Sequence, residues 1–197
     1  MVSYAVTFFV VKTSMTTNEI SIRAATLADA PVIHEIYSFH VRHGTASWEL
    51  EPPSLEEFQA RLTKVLEQGY PYFVAELGET VVGYTFAGPF RPRPGYRYTV
   101  ENSVYVHPDH QRRGLGRLML AHLIKVCEEL GYRQMIAVIG DSENTPSIRL
   151  HRELGFVHIG TFSGIGFKHN RWLDSVLMQR TLGDGNQRLP DGINASN

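Results

Sequence analysis

Two hydrophobic periods alternate along the chain between residues 19 and 182. "EISIRAAT", residues 19–26, alternates apolar and polar positions as a half-buried strand does. Thr26 and Asp29 then form a near capping box, and Ile33, Ile36, Tyr37 and Val41 follow at helical spacing. A second helix is marked by Ser54 as N-cap, Glu57 completing the box, and a stripe of Leu55, Phe58, Leu62, Val65 and Leu66 that Gly69 stops. "YFVAEL" and "TVVGYTFAG" flank Gly78-Glu79 and predict a hairpin. The next strand, residues 98–106, is interrupted by polar Glu101, Asn102 and Ser103. Leu115, Leu118, Met119, His122, Leu123, Val126 and Leu130 trace one face of a helix ending at Gly131. "QMIAVIG" is a continuous apolar run, expected of a central strand covered on both faces. A short helix with Thr145 as cap and Pro146 at its first position comes next, and "FVHIGTF" and "RWLDSVLMQRTL" supply two last strands.

The resulting order, β-α-α-β-β-β-α-β-α-β-β, describes an α/β domain: a mixed sheet of about seven strands with helices on both sides. No internal repeat, linker or second domain interrupts it. Residues 1–18 read as an appended extension. Its apolar stretch "YAVTFFVV" is too short to span a bilayer, and it has neither a basic leader nor a small-residue cleavage site. Residues 183–197 are rich in Gly, Asn and Asp with little to bury, and predict a disordered tail.

Composition narrows the partners. A length of 197 residues with 43% hydrophobic suits a single core. Nineteen basic and 20 acidic residues leave a formal charge of -1, so no broad basic surface for nucleic acid is expected and any anion site must be local. No membrane association is expected either. One cysteine, Cys127, excludes an internal disulfide and fits the reducing cytoplasm; its place on an apolar helix face reads as core. Of the nine histidines, the pairs His40/His43 and His107/His110 lack a carboxylate or Cys partner at ligand spacing, so no metal is expected.

One local anion site is visible in "HPDHQRRGLGRLML", residues 107–120. Gly114 and Gly116 stand where the strand ending at Val106 gives way to a helix. Glycines there let the chain turn tightly and present consecutive N–H groups. The helix N-terminus adds unpaired donors and partial positive charge, a ready phosphate site. Arg112, Arg113 and Arg117 surround it with mobile charge. The plain alternative is a glycine turn with solvated arginines. No Gly-Lys-Ser/Thr follows, and no third glycine with a downstream ribose-binding acid, so neither a nucleoside triphosphate nor a dinucleotide fits.

"QRRGLG", Gln111 to Gly116, resembles the Gln/Arg-x-x-Gly-x-Gly/Ala signature of the GNAT superfamily of N-acetyltransferases. "NTPSIRLHRELGF", Asn144 to Phe156, resembles its second signature. "HGTASWE", "YPYFVAE", "YTVENSVYV", "AVIGDSEN" and "KHNRWLD" are similar to the phosphinothricin and methionine sulfone/sulfoximine acetyltransferase group within it. The resemblance covers roughly residues 20–182, in the same order. It implies a GNAT acetyltransferase domain over residues 19–182, with a mostly antiparallel sheet whose central strands splay apart around acetyl-CoA. Amides of Arg112, Arg113, Gly114, Leu115, Gly116 and Arg117, with Gln111, would hold the pyrophosphate. The backbone of Val104, Tyr105 and Val106 would pair with the pantetheine arm, and Asn144 and Ser147 would touch the cofactor further along. The Val106 amide would steady the thioester oxygen.

Moving an acetyl group from a thioester to an amine needs a base, support for the developing oxyanion, and a proton for the departing thiolate. No enzyme nucleophile is required. Glu101 is the expected base, an acid inside an otherwise apolar strand; the structural alternative is an ion pair with Arg97. His151 stands where many superfamily members carry Tyr. Its imidazole is a candidate proton donor, a purely local hydrogen bond being the alternative. A small amino-acid-like acceptor needs cationic clamps, and Arg91, Pro92 and Arg93 match the group's substrate loop, as do Glu101, Asn102 and Ser103. Tyr37, Thr45 and Trp48 are candidate pocket walls, with packing in the core as the commoner alternative for the two aromatics. The expected function is acetyl-CoA-dependent N-acetylation of a small amino acid or analogue by direct transfer in a ternary complex. A protein N-terminal or other amine acetyltransferase, and a non-catalytic CoA-binding sensor, are the alternatives. The resemblance also implies a homodimer.

Overall fold

Alternation decides what each strand buries. A computed structural model describes residues 11–13 and 20–190. In β3 (Tyr72–Leu77), Phe73 and Ala75 face one layer of the core while Tyr72 and Val74 face the other. The first layer contains α3 (Leu115–Glu129), whose Met119, Leu120, Leu123 and Cys127 are fully buried. The second contains α1 (Ala30–His43) and α2 (Leu55–Glu67), which bury Ile33, Ile36, Phe58 and Leu62. Helices therefore cover both faces, as the patterning requires.

The helix ends follow their sequence signals with two changes of detail. Ser54 caps α2 by accepting from the Glu57 amide at 3.1 Å, but the Glu57 carboxylate turns to Arg61 instead of closing the box. In α4 (Thr145–Glu153) the cap is Asn144, not Thr145: its Oδ1 accepts from the Ser147 amide at 3.3 Å. An Asn side chain reaches that amide from one position earlier, which leaves Thr145 as the first helical residue. Gly69 and Gly131 follow α2 and α3 at φ 75° and 82°, the left-handed stop that glycine adopts freely.

The sheet runs β1-β2-β3-β4-β5-β6-β8-β7 and is antiparallel except for β5 against β6. Its members are β1 (Val11–Thr13), β2 (Ile20–Ala24), β3, β4 (Thr80–Pro89), β5 (Thr99–Val106), β6 (Gln134–Gly140), β7 (Val157–Lys168) and β8 (Arg171–Thr181). Seven of these are the expected strands. The eighth, β1, pairs with β2 and comes from the stretch read as an extension; the rest of residues 1–19 lies outside the described residues. Of the expected tail, residues 183–190 run in turns, where Asp184 meets Arg133 at 3.5 Å, and residues 191–197 lie outside the described residues. β7 is longer than its apolar pattern predicts. Irregularities at His158/Gly160 and Phe162/Gly166 interrupt its alternation while its pairing with β8 resumes beyond them.

One feature of the topology makes the site. β5 and β6 pair only over Thr99–Glu101 against Gln134–Ile136. Beyond that point β5 stays with β4 as far as Val106, and β6 stays with β8 as far as Gly140, so the two diverge into an open fork. The Asn102 side chain bridges its first step, donating to the Ile136 carbonyl at 2.9 Å.

Candidate active site

Residues of β5 divide by parity. Val100, Val104 and Val106 pack toward the α3 layer, whereas Tyr105 belongs to the α1–α2 layer, the face that Glu101 and Ser103 share by alternation. The backbone has a parity of its own. His107 donates its amide to the Val82 carbonyl at 2.9 Å, so the antiparallel ladder turns the Tyr105 and Ser103 amides toward β4. The amides of Val104 and Val106 are thereby directed into the fork. His40 reaches the Val106 carbonyl there, Nε2 to O 2.9 Å.

Glu101 lies at the vertex of the fork, opposite Gly88 of β4 and Ile136 of β6. It is half-buried, and burial pushes its carboxyl above the usual carboxylate range. Among the described residues it has no ion-pair partner. Arg97, the alternative partner, instead stacks over Tyr98 at 4.7 Å and donates to the Pro94 carbonyl. A carboxylate with weakened hydration and no cation is a competent base.

The candidate anion cradle lies at the fork's open end. Gly114 caps α3 at φ 77°, and Arg112 two residues earlier adopts φ 59°, a left-handed conformation uncommon for a side-chain-bearing residue. Two such residues just before a helix start can turn neighbouring N–H groups to one side as a concave set. Gln111, Arg112 and the span from Gly114 to Arg117 line a cleft of about 1470 Å³ together with Glu101 to Val106, Asn144, Ser147 and His151. That volume suits a ligand much longer than the acceptor amine. Arg113 is exposed outside this lining.

His151 is buried on the far wall. Its Nε2 stands 3.0 Å from Asn102 Oδ1 and its Nδ1 2.8 Å from the Ser147 carbonyl, with the ring edge-on to Phe156 at 4.9 Å. Burial pushes its pKa down and the Ser147 carbonyl opposes that, because the protonated ring donates to it. Both nitrogens face acceptor oxygens, and the neutral ring that burial favours has one N–H to give, so it donates to only one of them at a time; proton delivery toward the cleft would require Nε2 to leave Asn102.

The arginine loop stands apart. Arg91, Pro92 and Arg93 are exposed and line neither the cleft nor the smaller cavity on the α2 side; the Arg91 guanidinium packs over Phe90 and Tyr96 at 5.1 and 5.7 Å. Tyr37 lines that smaller cavity and hydrogen-bonds Ser47 at 2.8 Å. Residues 44–48 form a strap across the fork that the sequence does not announce. The Tyr105 hydroxyl donates to Ala46 O, Thr45 Oγ1 to Gly140 O, and Lys168 Nζ to Ser47 O, at 3.2, 2.9 and 2.7 Å. Lys168 is buried, and its pKa is lowered by that burial. Cys127, by contrast, sits in the core with its thiol pushed up to about 12, unfit as a nucleophile.

Residues 22–177 match the Acetyltransferase (GNAT) domain. The chain belongs to this family. It is 50% identical over 163 residues to the phosphinothricin N-acetyltransferase of Alcaligenes faecalis, covering 83% of each chain. It is 42% identical over 162 residues to the L-methionine sulfoximine/L-methionine sulfone acetyltransferase of Salmonella typhimurium, covering 82% of this chain and 94% of that one. The crystal structure of a GNAT superfamily phosphinothricin acetyltransferase from Sinorhizobium meliloti in complex with AcCoA superposes with a TM-score of 0.85 at 43% identity, covering 89% and 96% of the two chains. This GNAT chain thus has the mixed, mostly antiparallel sheet with splayed central strands expected of it. Among the described residues no helix is long and apolar enough to cross a membrane, and no cluster of three or more His, Cys, Asp or Glu could hold a metal.

Proposed function

We propose that the chain is an acetyl-CoA-dependent N-acetyltransferase acting on the amino group of a small amino acid or analogue of the phosphinothricin and methionine sulfone/sulfoximine kind, by direct transfer in a ternary complex. One observation carries the reading: an isolated, partly buried Glu101 at the vertex of a fork whose open end is a glycine-opened cradle at a helix N-terminus. The residues fit acetyl-CoA. The cradle from Gln111 to Arg117 offers amides and charge to a diphosphate, and the fork-facing amides of Val104 and Val106 offer a strand edge to an amide-bearing arm.

When bound, acetyl-CoA supplies an activated acyl group on a thiol leaving group. Glu101 takes the proton of the incoming ammonium or amine, the Val106 amide supports the carbonyl oxygen, and Asn102 with His151 fixes the vertex at which these meet. Asn144 and Ser147 line the opposite wall. Arg91, Pro92 and Arg93, with Asn102 and Ser103, are the proposed contacts to the acceptor's polar groups. The catalytic unit spans residues 19–182 between an extension and a tail. Its proposed setting is the cytoplasm, where a lone thiol such as Cys127 stays reduced.

A homodimer is supported by the last hairpin, where Val157, Ile159, Phe162, Ile165, Phe167 and Trp172 are each 52–68% exposed. Apolar groups on that scale mark an association surface. Thiol release from acetyl-CoA across a panel of amines tests the activity. Turnover is expected with amino-acid analogues. Calorimetric CoA binding without thiol release from any amine would instead make the chain a sensor.

A further inference from the structure

A second cavity, of about 230 Å³, opens on the α1–α2 side of the sheet. Its walls are aromatic: Tyr72 stacks on Phe86 at 4.7 Å and Tyr84 on Tyr105 at 5.0 Å, with Tyr37 and Phe58 opposite at 5.6 Å from each other. Leu62 and Val65 of α2 complete it. Ser103 and Tyr105 line both this cavity and the main cleft, so the two adjoin across these residues. Ser103 follows Glu101 on the same face of β5, one same-face step of about 7 Å away. The cavity therefore begins beside the residue proposed to deprotonate the amine. Its volume is below that of a site for a whole small ligand, roughly 300–1,000 Å³, and suits one side chain.

Charge at the rim decides what kind of side chain. Arg61 lines the cavity, and its guanidinium is paired with both Glu49 and Glu57. One cation against two carboxylates leaves this corner formally negative, with the cation already spoken for. An anionic side-chain terminus would enter an aromatic cavity without an unpaired cation to meet it. An uncharged chain loses nothing comparable, and each methylene it buries is worth roughly fourfold in affinity.

Resting on the acetyltransferase reading above, we propose that this cavity receives the side chain of the acceptor amino acid and selects uncharged apolar or sulfone-type chains over anionic phosphinyl ones. The wild-type enzyme turns over L-methionine sulfone and L-leucine with kcat/KM at least tenfold above both L-alanine and L-phosphinothricin. Two variants separate size from charge. Val65→Phe fills the cavity, and the methionine sulfone to alanine ratio falls about tenfold. The double variant Glu49→Gln/Glu57→Gln releases Arg61, and the phosphinothricin to methionine sulfone ratio rises about tenfold. Calorimetric CoA binding reports that each variant is folded; should Val65→Phe fail that control, the charge variant carries the test. Turnover of amino acids with both ratios unchanged would overturn the cavity assignment and leave the activity standing. Thiol release from no amine at all would overturn the activity itself, and the cavity's role with it.

Discussion

Glu101 carries an activity and a stability consequence that oppose each other. Burial raises its pKa, so its folded-state value exceeds the unfolded one. Such a group stabilises the fold below its unfolded pKa, and that contribution is lost as pH rises through the folded pKa. At neutral pH the ionised form works against the fold, and Glu101→Gln is expected to raise Tm at pH 7 in a thermal melt. The same change lowers kcat by about 10²–10⁴, the usual reach of a general base, with CoA affinity unchanged by calorimetry. In the wild type the acid limb of kcat/KM lies above the ordinary carboxylate range and disappears in the variant. Gly114 acts through backbone alone. At φ 77°, Gly114→Val places a β-branched residue in the left-handed region at about 1–2 kcal/mol; nothing stands within 4 Å of an added Cβ, so strain and not collision is the cause. The Kd for CoA is expected to rise about tenfold in a calorimetric titration, and an unchanged value would remove the loop from the cofactor site.

At the scale of elements, the fork depends on the strap that crosses it. Gly140 ends β6 beneath Thr45, and a Cβ there would fall on the Thr45 carbonyl oxygen, a backbone atom that cannot swing aside. Gly140→Ala is expected to destabilise by about 1–3 kcal/mol, lowering Tm by several degrees in a thermal melt and displacing residues 44–48. Alanine tolerated at wild-type Tm would show the strap to be loosely held. Much of the element list was legible because 3.6 and 2 are distinct periods, and because Ser54, Gly69 and Gly131 are residues whose backbone or side chain suits helix ends. β7 extends beyond its apolar pattern because glycines at 160, 164 and 166 break the alternation that identifies a strand while leaving its hydrogen-bond ladder able to resume. The cap of α4 shifted by one residue for an equally local reason, the reach of the Asn144 side chain.

For the molecule as a whole, the last hairpin is the outlying surface. Trp172 is 68% exposed and meets Phe167 edge-on at 5.3 Å, an arrangement that leaves two large rings facing outward. The proposed homodimer is expected to dissociate to monomer in sedimentation velocity when Trp172→Glu is combined with Phe167→Glu; an unaltered sedimentation coefficient would count against this face as its interface. The opposite end of the sheet tells a different story about the sequence. Val11–Thr13 overlaps the end of an apolar run by one residue, and these three residues suffice to pair with β2. Short edge pairing is set by backbone groups, which carry no sequence signature.

By itself the sequence determined the alternation of elements, the two glycine-bearing signatures, an acid inside an apolar strand and the burial of Cys127. These are local properties, each set by a few adjacent residues and their backbone freedom. Tertiary structure decided that β5 and β6 part after Glu101, that Arg97 turns to Tyr98 and leaves Glu101 unpaired, and that His151 bonds Asn102 across 49 positions. It also decided that Lys168 pins Ser47 across 121 positions and that Tyr37 faces an aromatic cavity instead of the cleft. Contacts over such separations depend on how whole layers pack, and no spacing along the chain encodes them.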